Sequence, residues 1–232
     1  MTEAKTIVCL ANSRKMSGRC VAGIVVAHDR AKWIRPISSR PNHEVSEYER
    51  QYEDGSDPQV LDIVSVPLIE ARPHSYQSEN WLLDPEYYWK KTGRAEWDRL
   101  LAFEERPASL WINGYSTYHG VNDRVPERQA RTLTHSLKLI RVDRVTLRVH
   151  CPGAAFGNPK RVVQAGFEYS GCDYSLRVTD PVYERKYLAE SDGNYTLGEA
   201  FLTISLGEPY DGYVYKLVAA IIERATSTGS GR

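Results

Sequence analysis

Net charge is the first thing this sequence has none of: thirty Lys and Arg balance thirty Asp and Glu over 232 residues. A neutral chain is not drawn to a polyanion by bulk attraction. Cysteine is scarce as well. Cys9, Cys20, Cys151 and Cys172 form no CxxC pair, and His150-Cys151 has no second ligand pair at finger spacing. Neither a disulfide framework nor a zinc site is expected, and no cofactor is expected either. No run approaches the roughly 18–20 apolar residues that span a bilayer. The start, "MTEAKTIVCLANS", lacks a basic segment ahead of a long apolar one. The expectation is therefore a cytoplasmic chain without membrane contact. The GxxxxGK[ST] spacing of a Walker loop is absent, which excludes that phosphate cradle. No tight internal repeat is visible.

What is present is an ordinary globular composition, 41% hydrophobic and 26% charged. The length suits one large domain or two of about 100 residues. Charge is unevenly placed. Residues 1–40 carry eight basic and two acidic side chains, residues 41–110 seven and fifteen, and residues 111–150 seven and three. Such blocks set a basic face beside an acidic one, or mix on the folded surface.

"KTIVCLAN", "CVAGIVVAH" and "WIRPIS" read as a three-stranded meander over residues 5–38, with "HDRAK" as a turn. "EVSEYERQY" reads as a short helix in an acidic, punctuated stretch. "VLDIVSVPLIEA" returns to strand, with Pro67 marking a bulge or an edge. Residues 73–112 hold Trp81, Trp89, Trp97 and Trp111, and read as a helical insertion. Ser78 and Asp84 are its expected caps, with Pro85 at a first helical position. Loop character over 113–135 places a domain boundary near 125–135. The last hundred residues give strand, strand, strand, short helix, strand, strand. That is the order of a five-stranded OB barrel. The expected fold is mainly β (α+β): two tandem OB-like barrels, residues 1–130 and 131–225, with the helical insertion in the first. Residues 226–232 form a tail.

"IVCLANSRKMSGRCVAGI", "WIRPIS", "YQSENWLL", "NDRV" and "SLGEPYDGYVYKLVAAII" resemble the bacterial dual OB-fold-containing family over roughly residues 5–223. The resemblance implies two OB barrels in tandem and recognition of nucleic acid or nucleotides. It also implies the sensor role of a prokaryotic conflict system, with a partner protein supplying effector activity. It brings no catalytic residues with it.

The hairpin "NSRKMSGRC" sets Arg14, Lys15 and Arg19 among glycine and serine, the chemistry of a phosphate site. A solvated basic turn is its rival reading. Cys20 is a candidate nucleophile with no evident base. Trp33 and Arg35 share a strand face, either stacking a base beside a phosphate or lying in the core with Arg35 paired; Arg40 follows. His74, Gln77, Glu79 and Asn80 form a polar loop able to read base edges or to cap. Asn122, Asp123 and Arg124 suit a turn or a specificity loop. Tyr213 and Tyr215 share a face and stack bases if exposed. The leading expectation is a binding module for single-stranded or structured nucleic acid or a nucleotide. An enzyme using Cys20, His74, Glu79 and Asp123 is the lesser reading. A protein-interaction module using the acidic stretch 44–57 and the tryptophan-rich segment is a third.

Overall fold

The apolar runs near the N-terminus form β1 (Glu3–Lys15), β2 (Gly18–Val25) and β3 (Trp33–Ile37), the expected meander. The computed structural model describes residues 2–26 and 32–224. Most of the "HDRAK" turn and all of the 226–232 tail lie outside the described residues. A helix, α1 (Glu47–Arg50), precedes β4 (Asp62–Ala71) and β5 (Asn80–Leu83). Ser46 and Glu49 close a capping box on it, which is why this acidic stretch is helical. β1 pairs with both β2 and β4, β4 with β5, and β3 runs parallel to β5. The ring β1-β2-β3-β5-β4 therefore closes, in OB order. β1 slips in register between Cys9 and Ala11, and the bend lets one strand serve two partners. Gly23 is required at that crossing: a Cβ there would stand 2.2 Å from the Val8 carbonyl oxygen. Pro67 sits beside the register slip of β4 at Leu68–Glu70, as a strand proline should.

The expected helical insertion is mostly not helical. "SENWLL" supplies β5, because β3 and β4 both offer it a ladder edge. Asp84 caps a turn instead of a helix, accepting from the Glu86 N–H at 3.1 Å. "YWKKTGR" ends in β6 (Lys90–Arg94), which adds to β4. Only Trp97–Ala102 is helical, as a 3-10 turn. Here tertiary pairing overrides local propensity.

The second barrel begins with β7 (Arg124–Pro126) and α2 (Glu127–Ala130). β8 (Leu137–Val142) and β9 (Val145–His150) are one long strand broken at Asp143–Arg144. β10 (Val162–Tyr169), β11 (Cys172–Val178), α3 (Pro181–Leu188), β12 (Gly193–Leu197), β13 (Ala200–Tyr210) and β14 (Tyr213–Glu223) follow. The sheet runs β12-β9-β10-β11-β14-β13-β8, with β11 and β14 parallel. The β12–β9 pair continues the β13–β8 pair along the chain, so the sheet curls back on itself. β7 pairs with β14, which attaches residues 124–126 to this barrel.

Each barrel has its own core, one around Ile34, Val66 and Trp89 and one around Tyr174, Leu176 and Val218. A third apolar cluster lies between them. Val8, Leu10, Trp33 and Trp97 pack there against Leu139, Phe201, Ala219 and Ile222. The Trp97 and Phe201 rings stand 4.8 Å apart. Thr203 Oγ1 donates to the Leu10 carbonyl at 2.6 Å, and Trp97 Nε1 to that of Ile222 at 3.1 Å. No helix among the described residues is long and apolar enough to cross a membrane.

Candidate nucleic-acid interface

The β1–β2 hairpin closes with Lys15 opposite Gly18, over Met16 and Ser17. Its three cations meet different fates. The hairpin lies across the second barrel, where the Arg14 N–H donates to the Thr179 carbonyl at 2.9 Å. Arg14 Nη2 pairs with Glu184 Oε1 at 2.7 Å, and Lys15 Nζ with Glu208 Oε1 at 2.9 Å. These two charges are thus committed to carboxylates of α3 and β13. Arg19 makes no ion pair among the described residues, and its Nε is buried without a partner. Arg40 is exposed, 3.8 Å from Glu44.

Every residue of β3 is buried. The face shared by Trp33 and Arg35 is turned toward the second barrel, so base stacking on Trp33 gives way to the alternative of a packed ring and a paired arginine. Trp33 is 9% exposed, and its Nε1 donates to Glu105 Oε2 at 3.0 Å. Arg35, 4% exposed, reaches Glu79 Oε1 at 2.9 Å and Ser136 Oγ at 2.6 Å. Ser136 also donates to Glu79. Gln77 and Asn80 are buried in the same seam, with Asn80 Nδ2 donating to Gln77 Oε1 at 3.1 Å. The polar loop is therefore a joint between barrels and not an open reading edge. His74 stays exposed at its rim.

Cys20, His74, Glu79 and Asp123 do not converge: no hydrogen bond joins any two of them among the described residues. Asp123 holds the preceding loop by accepting from the Thr117 N–H and hydroxyl. Asn122 accepts from the Gly114 N–H at 2.7 Å and donates to the Asp173 carbonyl at 3.0 Å. Both are turn residues. Trp89 and Trp97 are buried, so neither supplies an exposed apolar patch for a partner. Among the described residues no group of His, Cys, Asp and Glu is placed to hold a metal ion.

The aromatic candidates do assemble. β13 and β14 join at Asp211–Gly212, with φ of +50° and +74°. An Asp-Gly pair tolerates these left-handed values and makes a tight hairpin. The turn sets Tyr210 opposite Tyr213, and β7 sets Arg124 opposite Tyr215. Val214 and Val125 point the other way, into the core. The Arg124 guanidinium lies 4.0 Å over the Tyr213 ring, and the Tyr210 and Tyr215 rings are 6.4 Å apart. Tyr210 is 74% exposed, and Tyr213 and Tyr215 are half-buried. Three tyrosine rings and one guanidinium thus share an outer face of the second barrel. Tyr210 was not among the sequence candidates. Its signal was available, because a two-residue turn pairs it with Tyr213.

Behind this face lies Lys216, a residue the sequence did not single out. It is 1% exposed and donates to the Ile112 carbonyl and Asn113 Oδ1 at 2.8 and 2.9 Å. Burial lowers its pKa to about 7, with Asp123 pulling it back up. The unfolded chain holds this proton to about pH 10.4, so stability should rise with pH above 7, by about 1.4 kcal/mol per unit at most. The gain ends near pH 8.5, where cysteine ionises in the unfolded chain while burial pushes the Cys9 thiol up to about 12. Urea midpoints at pH 7.0 and 8.5 check this. The increase should vanish in K216M, and an equal increase in both proteins would refute the assignment.

Two barrels of this strand order, in tandem and sharing a packed seam, define a double OB protein. The OB fold is a nucleic-acid-binding type of module. A family model for the dual OB-containing domain matches residues 5–221, and the chain belongs to that family. No curated protein and no solved structure gives a significant match.

Proposed function

We propose that the protein recognises single-stranded nucleic acid, with bases stacked on Tyr210, Tyr213 and Tyr215. The observation that carries this reading is the exposed face on which those rings and Arg124 stand together. Stacking on aromatic side chains is sequence-tolerant and contributes about 1–3 kcal/mol per base. Arg124 adds a cation that is held by a ring and has no carboxylate partner among the described ion pairs. Recognition of this kind suits the sensor of a prokaryotic conflict system, with effector activity supplied by a partner protein.

The test is anisotropy of labelled ten-nucleotide DNA and RNA strands bearing 5′-hydroxyl ends, titrated across salt. One platform cation predicts a shallow dependence, a log–log slope of about −0.7. Absence of binding at low salt, or a slope several times steeper, would defeat the stacking-led reading.

A further inference from the structure

We propose that the cleft between the two barrels is a separate binding site for a terminal phosphate group, gripped by Arg19 and Arg185. The cleft has a volume of about 610 Å³ and is lined by the β1–β2 hairpin, the segment before β4, β6 and the start of α3. That size is within the range of small-molecule sites.

Its polar groups divide into those already satisfied and those left open. Arg94 pairs with Asp62 at 3.1 Å, and Asp57 is held by Arg50 at 2.6 Å. Asp180 accepts from the N–H groups of Val182, Tyr183 and Ile221. The carboxylates of the cleft are therefore occupied. Arg19 and Arg185 both line it, and neither has an ion-pair partner among the described residues.

Two further groups lack partners. Arg19 Nε is buried without an acceptor. Asn12, 9% exposed, donates through Nδ2 to the Pro58 carbonyl at 2.7 Å, and its Oδ1 has no donor. Free guanidinium groups thus stand beside an unpaired acceptor. Arg19 is also crowded. Burial lowers its pKa, the nearby Arg50, Arg185 and Arg14 lower it further, and Asp57 opposes them in part. An anion between Arg19 and Arg185 would relieve that repulsion.

A phosphate monoester fits this set better than a backbone diester. It carries up to two charges and three terminal oxygens, enough for two guanidinium forks. A hydroxyl or amine on the rest of the ligand would satisfy Asn12 Oδ1. Val182 and Tyr183 supply an apolar wall for the remainder. The group could belong to a free nucleotide or to the 5′ end of a strand. The site does not depend on the tyrosine platform.

Calorimetry decides it, with inorganic phosphate, AMP, and the same ten-mer bearing either a 5′-phosphate or a 5′-hydroxyl. The expected result is binding of a phosphate-monoester probe that weakens tenfold or more in R185Q, the scale of one lost charge-assisted contact. Arg185 is exposed, so that variant should fold. R19Q should weaken the same probe. Binding of AMP identifies a free nucleotide as the source, whereas preference for the phosphorylated ten-mer over both AMP and its hydroxyl twin identifies a strand end. Y213A should weaken the phosphorylated and hydroxyl ten-mers by the same factor and leave the ratio between them unchanged, which separates failure here from failure of the platform. No binding of any phosphate probe below about 1 mM, or R185Q equal to wild type, overturns the proposal.

Discussion

R35A is expected to lower the unfolding free energy by about 3–5 kcal/mol, the scale for breaking a buried ion pair by removing one partner. Arg35 and Glu79 are 4% and 5% exposed. Deleting the guanidinium leaves Glu79 in that seam with only the Ser136 hydroxyl as donor, and its Oε2 already has no partner. A domain margin is about 5–15 kcal/mol, so the change should be plain in a urea titration. The control is R35M/E79L, which removes both charges. An apolar pair of similar volume is often neutral, and this double variant should recover most of the loss. A loss of under about 1 kcal/mol in R35A would show that the pair is solvated in solution.

Replacing Tyr210, Tyr213 and Tyr215 together by alanine should weaken binding of the 5′-hydroxyl strand at least a hundredfold, given about 1–3 kcal/mol for each stacked base. Each single change should cost about tenfold on the same scale. Phenylalanine at all three positions should retain most of the affinity, since the ring face does the stacking. That contrast separates stacking from hydroxyl contacts. Circular dichroism of the triple variant should match wild type, because Val214 and Val125 keep the core side of the strands intact. Undiminished binding by the triple alanine variant would remove the platform from the account.

Much of the fold was legible because local signals and topology agree. Strand-length apolar runs, the "EVSEYERQY" capping box and the Asp-Gly turn each act over a few residues. The second half displays OB order in its element sequence alone. Residues 78–94 were not legible, because β5 and β6 exist only where distant strands offer them an edge. The site was less legible still. Arg14 meets Glu184 across 170 positions, and Lys15 meets Glu208 across 193. Nothing within "NSRKMSGRC" separates those two cations from Arg19. Tyr213 and Tyr215 were readable as one face from strand alternation. Arg124 was not readable as their neighbour, because the three-residue β7 carries no pattern of its own.

The seam also has a consequence for synthesis. Leu10 is covered by Thr203, Phe201 and Ile222, and its bond to Thr203 spans 193 positions. Contacts so distant in sequence form late. While the protein is being translated, the outward side of β1 lacks part of its cover until β13 and β14 emerge from the ribosome. The first barrel must wait, with part of its apolar flank bare, until most of the second barrel has been made. A nascent chain stalled before residue 200 should therefore be the aggregation-prone species and a natural client for chaperones.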